Sequence, residues 1–254
     1  MMREKIEVLI KDFVASYQRT KNLKTKWREA VVGFADVEHD FKELISPAHA
    51  LAEDYLNGAK TIVAYFLPYA QEIVNSNIGG RYSSKEWALA YVETNELIVE
   101  LDNYLKKELD KMGINAAVIA PRENFTQSES PADWSHRHMA YFAGMGNFAL
   151  NNMLITEQGC CGRFGSIITD LDIETNKITD QEYCLYKEGL DCQLCVENCI
   201  TGALKVDSFI GEKCYKILLY NDVLHSDILA STEVCGKCCA GLPCSMTNPV
   251  KEYK

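Results

Sequence analysis

The chain has 254 residues, 47% hydrophobic and 24% charged, with a formal net charge of −10 and a pI near 5.1. These are globular values that exclude a disordered chain. The acidic balance argues against sequence-blind nucleic-acid binding, which rests on neutralising phosphates, so nucleic acid is not expected as a partner. No segment reaches the roughly 18–20 uninterrupted apolar residues of a membrane span. The start "MMREKIEVLIKDF" is charged throughout and is not a signal peptide. A cytoplasmic location is expected, where the eleven cysteines point to metal or redox chemistry rather than to disulfides.

Over residues 3–18, Ile6, Val8, Leu9, Ile10, Phe13, Val14 and Tyr17 recur close to a helical stripe. The basic stretch of Arg19, Lys21, Lys24, Lys26 and Arg28 reads as a solvated helix end or loop, or else as a docking patch for an anionic partner. "AVVGFAD" (30–36) and "KTIVAYFLP" (60–68) suit buried strands, and "PAHALAEDYLNGA" between them fits a helix closed by Gly58. A long helix follows over residues 83–113, opened by a capping box of Ser83 and Glu86 and ended by Lys106, Lys107, Lys111 and Gly113. "NAAVIAP" (115–121) predicts a strand, "DWSHRHMAYFAGMG" a helix, and "NMLIT" with "RFGSIITDL" a further pair of strands. The pattern is α+β or α/β, with the strand order left open.

No cysteine occurs in residues 1–159, and all eleven lie between Cys160 and Cys244. That shift predicts a boundary in the polar stretch 175–183, separating a unit of residues 1–180 from one of 181–254.

Beyond residue 180 the cysteines form Cys184-x7-Cys192-x2-Cys195-x3-Cys199, then Cys214, twenty residues, and Cys235-x2-Cys238-x5-Cys244. Eight thiolates are the complement of two 4Fe–4S clusters. In the bacterial two-cluster ferredoxin arrangement the fourth cysteine of each run ligates the other cluster. That logic assigns Cys184, Cys192, Cys195 and Cys244 to one cluster, and Cys199, Cys214, Cys235 and Cys238 to the second. The C-x3-C spacing is expected to carry Cys199 into a helix start. Two structural zinc sites are the competing reading, because C-x2-C pairs serve zinc as well. Cys239 competes with Cys244 as the last ligand. Cys160 and Cys161 read as small buried residues near a turn, or as a redox-active pair.

The stretch "AYFAGMGNFALNNMLIT…GRFGSIITDL" followed by this cysteine module resembles the epoxyqueuosine reductase family, well over residues 130–254 and loosely over 28–70. The resemblance implies an α+β, nitroreductase-like N-terminal domain that binds cobalamin, followed by a bacterial-ferredoxin-like module with two 4Fe–4S clusters. It places Gly144, Met145, Gly146 and Asn147 against the corrinoid, with Asn151, Asn152 and His138 as further contacts. Read without the resemblance, "AGMG" is a glycine-capped helix end. Where the family has a proton-donating aspartate this chain has Ser130, and the nearest carboxylate is Asp133. Asp133, His136, His138 and Tyr141 are therefore the candidate proton donors.

The chain ends at Lys254 without the helical-repeat extension of longer members, so tRNA is not the expected substrate. The expected activity is reduction of a small molecule, with electrons from a low-potential donor of the ferredoxin or flavodoxin type. The alternative is an Fe–S electron-transfer protein without corrinoid that docks a redox partner. An Fe–S regulator is a third reading, against which no helix-turn-helix pattern is visible.

Overall fold

A computed structural model describes residues 2–119 and 134–253. Helix α1 (Met2–Thr20) leads to strand β1 (Val31–Asp36), the short helix α2 (Phe41–Leu44), strand β2 (Thr61–Pro68), helices α3 (Gln71–Ser76) and α4 (Lys85–Lys111), and strand β3 (Ala116–Val118). Then come α5 (His136–Phe142), β4 (Gly146–Phe148), β5 (Leu154–Thr156) and β6 (Gly162–Thr169). The cysteine-rich part adds α6 (Leu194–Glu197), α7 (Gly211–Leu224) and α8 (Pro249–Tyr253).

The main sheet is antiparallel in the order β1-β2-β6-β3. All eight residues of β2 are buried, so an unbroken apolar run needs cover on both faces. Successive side chains point to opposite faces of a sheet. Val63, Tyr65 and Leu67 accordingly pack with Ile6 and Ile10 of α1 and Leu97 and Leu101 of α4. Ile62, Ala64 and Phe66 pack on the other side with Met139 and Phe142 of α5. The fold is α+β, with helices on both faces of the sheet. Among the described residues no helix is long and apolar enough to cross a membrane.

Two expectations are corrected. The helix predicted over residues 47–59 is a set of turns with one 3-10 stretch at Ala52–Asp54. The Asp54 carboxylate there accepts from the Leu51 N–H at 2.8 Å, a local side-chain bond that competes with helix. The cap of α4 is Ser84, whose Oγ accepts from Trp87 N–H at 3.1 Å; Ser83 is buried against His225 Nε2 at 3.1 Å. The strands predicted at "NMLIT" and "RFGSIITDL" are both present, in different sheets. β5 pairs with β4 in a separate two-stranded sheet, while β6 joins the main one.

The basic stretch is a helix end and an ordered loop. Glu93 accepts from the Thr25 N–H at 2.7 Å, and Lys21 pairs with Glu100 at 2.9 Å. Arg28 donates to the carbonyls of Tyr69 (3.1 Å), Met246 (3.0 Å) and Gln158 (2.5 Å), clipping three segments together. The cysteine-rich part shares the core: Cys184, Val234, Cys239 and Ala240 belong to the same buried cluster as Tyr17, Trp27 and Val63.

One core contact predicts a pH effect. Asp102 of α4 is fully buried and accepts from the Tyr65 hydroxyl at 2.6 Å, while its Oδ2 has no partner. Burial lifts its carboxyl to about 7, opposed by the Tyr65 hydrogen bond. The folded state therefore holds this proton more tightly than the unfolded chain. Its stabilising contribution is complete below the unfolded pKa of about 4 and is lost as pH rises through about 7. Asp102→Asn is expected to flatten that fall and to stabilise the protein at pH 8 by roughly 2–4 kcal/mol. Thermal melts of both proteins from pH 4 to 8 check it.

Candidate functional site

Cys184, Cys192, Cys195 and Cys244 line one open cavity, walled by Leu194, Leu242, Pro243, Ala149 and Ile155. The Cys184 N–H is held by the Glu182 carboxylate at 2.9 Å. Cys192 and Cys195 flank the start of α6, and the Cys244 carbonyl accepts from the Cys160 N–H at 3.0 Å. Burial, then the neighbouring Cys244, Cys184 and Cys192, push the Cys195 thiol up to about 12. Burial also raises Cys192, and Cys244 and Cys184 add to the shift. Four crowded thiols of this kind ionise together only around a cation. A single zinc about 2.3 Å from each sulfur would draw the four to within roughly 4 Å of one another. Among the described residues no group of three or more His, Cys, Asp or Glu side chains is placed to hold a metal ion.

The second set is Cys199, Cys214, Cys235 and Cys238. The expectation for Cys199 is corrected: it follows the end of α6 rather than starting a helix. Its Sγ accepts from the Leu204 N–H at 3.3 Å. Burial raises this thiol, but N–H donors from Leu204, Thr201 and Ala203 and the Thr201 hydroxyl outweigh it and hold Cys199 below the usual range. Such donors suit a thiolate ligand. Cys214, in the first turn of α7, is raised by burial and then by Cys199. Burial pushes Cys235 up to about 11, the Lys237 N–H opposes, and Cys214 adds to the rise. Cys238 is raised by its contact with Cys239, by burial and by Cys235.

This set is pinned to the first part of the chain. Asn77 Nδ2 donates to the Cys235 carbonyl at 2.8 Å, Asn151 Nδ2 to the Cys238 carbonyl at 2.6 Å, and Lys237 Nζ to the Gly79 carbonyl at 2.6 Å.

The glycine motif serves the chain itself. A Cβ on Gly144 (φ 64°) would meet the Lys177 carbonyl oxygen at 2.2 Å, and one on Gly146 would meet the Ile155 carbonyl oxygen at 1.8 Å. Met145 is buried against Gly33. Asn147 Nδ2 donates to the carbonyls of Gln181 and Thr179. Asn151 also accepts from the Met153 N–H at 3.1 Å, and the carbonyl of Asn152 (φ 59°) accepts from Arg137 at 2.7 Å. The glycine-cap reading describes this stretch: Gly144 ends α5, and the asparagine amides join the two parts of the chain. Those committed amides do not fit Asn147 and Asn151 as polar contacts to a corrinoid.

Of the candidate proton donors, Asp133 lies outside the described residues. His136 Nδ1 is 2.8 Å from Ser166 Oγ, which also accepts from Trp134 Nε1 at 3.0 Å. Burial and then the Arg163 charge lower His136 to about 4, so it is neutral near pH 7. His138, 2.7 Å from Ser135 Oγ, is likewise lowered to about 4 by burial, then by Arg137 and His49. Tyr141 and His138 both lie against the Phe148 ring, at 5.6 and 4.7 Å between centroids. His49, absent from the sequence reading, accepts from the Ser135 N–H at 3.0 Å. Its single-residue surroundings, "SPAHAL", carry no motif. Also unassigned by sequence is the meeting of Cys160 and Cys161 with Cys239, between the two ligand sets.

No protein-family model and no curated protein matches the chain. Solved structures do. The epoxyqueuosine reductase of Streptococcus thermophilus is 16% identical with a TM-score of 0.57, covering 92% of this chain and 65% of that one. An epoxyqueuosine reductase with an epoxyqueuosine-modified tRNA-Tyr stem loop is 18% identical with a TM-score of 0.53, covering 94% and 66%. A reductive dehalogenase whose structure suggests a mechanism for B12-dependent dehalogenation is 17% identical with a TM-score of 0.55, covering 82% and 28%. This chain thus spans just under two thirds of the length of those reductases. As the sequence resemblance implies, its fold is the one shared by the epoxyqueuosine reductases and the reductive dehalogenases.

Proposed function

We propose that this protein is an iron–sulfur reductase whose residues 181–254 hold two 4Fe–4S clusters, one on Cys184, Cys192, Cys195 and Cys244 and one on Cys199, Cys214, Cys235 and Cys238. The observation that carries the reading is the cavity lined by all four cysteines of the first set, from positions up to sixty residues apart. When bound, the clusters supply single-electron transfer from a low-potential donor. The chain holds the ligands in place: Leu204 and Thr201 donate to the Cys199 sulfur, and Lys237 fixes the loop between Cys235 and Cys238. Leu242, buried, and Pro243 give the first cavity an apolar wall, and solvent exposure is one of the terms that set a cluster's potential.

The substrate is a small molecule, reduced at the face formed by His138, Tyr141 and Phe148. A tRNA stem loop is bound by one neighbour, but a net charge of −10 disfavours a polyanion here. A corrinoid at that face is supported by the B12-dependent neighbour. The side-chain amides of Asn147 and Asn151 are committed to the chain's own carbonyls, and no step is assigned to a corrinoid. That misfit favours the second reading, an electron-transfer protein without corrinoid.

Iron and cobalt counted on one anaerobic preparation test the proposal. Roughly eight irons per chain with cobalt that persists through gel filtration support the corrinoid reductase. Iron without cobalt supports the second reading, and a colourless or zinc-containing protein overturns both.

A further inference from the structure

Helix α7 has two unlike faces. Cys214, Ile217 and Asn221, spaced three and four apart, turn inward. Ile217 and Asn221 are buried, and Asn221 Nδ2 donates to the Val234 carbonyl at 2.6 Å. The outer face carries Leu219, Tyr220, Val223 and Leu224, and Leu229 follows past the helix end; these five are between 40% and 102% exposed. Tyr220 stacks on Tyr82 with ring centroids 4.6 Å apart, which holds the face in place. At about 150–200 Å² for each large side chain, roughly 500 Å² of apolar surface lies open, toward the upper end of what a monomer presents as its largest patch.

Area and charge together say what covers it. The core of an interface is about 65% apolar, so an apolar patch of this size belongs to roughly 800 Å² of contact on each side, the standard size of a stable interface. Charges of opposite sign bound the patch along the chain. Lys216, 2.7 Å from Glu212, precedes Leu219, and Asp227, paired with Lys85, follows Leu224. All four of these side chains are more than half exposed, and exposed pairs hold one another weakly. At 3.6 residues per turn Lys216 falls between Leu219 and Tyr220 around the helix, on the apolar face itself.

We propose that the outer face of α7 pairs with the same face of a second copy of this chain, antiparallel about a two-fold axis between Asn221 and Asp222. That register sets Leu219 opposite Leu224 of the second copy, Tyr220 opposite Val223, and Lys216 opposite Asp227. Each contact then occurs twice, as a two-fold interface requires. The antiparallel order brings opposite charges together, whereas a parallel order would set Lys216 on Lys216. No α7 residue lines the first cavity, so the pairing leaves that site open and does not rest on the iron–sulfur reading.

Sedimentation velocity on the full chain, from about 1 to 100 μM, tests this. The wild type is expected to pass from 28.6 kDa to twice that mass as concentration rises. Val223→Glu, at a 74% exposed position, is expected to raise the dissociation constant roughly 30-fold or more with unchanged far-UV circular dichroism. Lys216→Asp and Asp227→Lys are each expected to dimerise more weakly than the wild type, and an equimolar mixture of the two more tightly than either, because the mixed pair restores both opposite-charge contacts. A wild type that stays monomeric, its face then open to a different protein, would overturn the proposal. So would a Val223→Glu dimer as tight as the wild type, or a mixture no tighter than its components. If one charge variant misfolds, the double variant Lys216→Asp/Asp227→Lys decides: a dimer tighter than that of the remaining single variant supports the register, and a weaker one overturns it. A protein that dimerises without iron upholds this pairing while the cluster reading falls.

Discussion

Cys199→Ala is expected to cost the protein roughly half of its iron and to leave the remaining cluster with Cys184, Cys192, Cys195 and Cys244 as its ligands. The reason is geometric. Cys199 is close in sequence to Cys192 and Cys195, but the α6 turn carries it away from their cavity. Its sulfur sits in the Thr201–Leu204 loop, where the N–H groups of Leu204, Thr201 and Ala203 converge on it, and Cys214 is its thiol neighbour. Alanine deletes the ligand with the most thiolate character in that set and leaves the cavity lining untouched. Iron analysis with EPR of the dithionite-reduced protein checks it. Retention of the second signal with loss of the Cys192/Cys195 one would refute the crossed assignment.

Gly146→Ala is expected to destabilise the fold by roughly 3 kcal/mol or more, a fall of about 6–12 °C in Tm for a domain of this size. The added methyl would lie 1.8 Å from the Ile155 carbonyl oxygen and 2.8 Å from its carbon. Those atoms are backbone of the strand paired with β4, with Gly146 opposite Thr156, so no side-chain rotation relieves the overlap. Gly58→Ala is the control. It has the positive φ of 77° but nothing within 4 Å of its Cβ, and the cost there is the left-handed conformation alone, about 1 kcal/mol. Thermal melts of both variants distinguish crowding from backbone strain; equal losses would show that the close approach at Gly146 is not what the glycine serves.

The two positions illustrate what local pattern conveys. "GMG" reads as a helix cap or as a cofactor cradle, and the residues themselves do not say which backbone approaches them. Ile155 does so from nine residues away and Lys177 from thirty-three. Strand β2 was legible because eight consecutive buried residues make an apolar run visible without any partner. The pairing of β5 was not, since a three-residue strand carries no periodicity that distinguishes β4 from β6 as its neighbour. The turns at 47–59 defeated the helical reading for a local reason, the side chain of Asp54 reaching back to the Leu51 N–H. For His136 the sequence supplied a titratable group at a suggestive place. Its burial beside Arg163 and Ser166, which makes it a neutral imidazole, comes from residues on a distant strand.

The sequence by itself determined that the cysteines crowd the C-terminal part of the chain, with the spacings on which the proposed two-cluster division rests. Cysteine spacing is a covalent constraint: two residues between sulfurs bring both to one turn, whatever the surrounding fold. It also determined which segments are buried, because apolar content is a property of each segment alone. Only the tertiary structure decided what Cys160, Cys161 and Cys239 are near, and that the asparagines of the glycine motif are spent on the chain's own carbonyls. Those facts are contacts between residues up to 87 positions apart. Long-range contacts of this kind leave no periodicity in the sequence; they follow from how the sheet and its two helical layers bring remote backbone together.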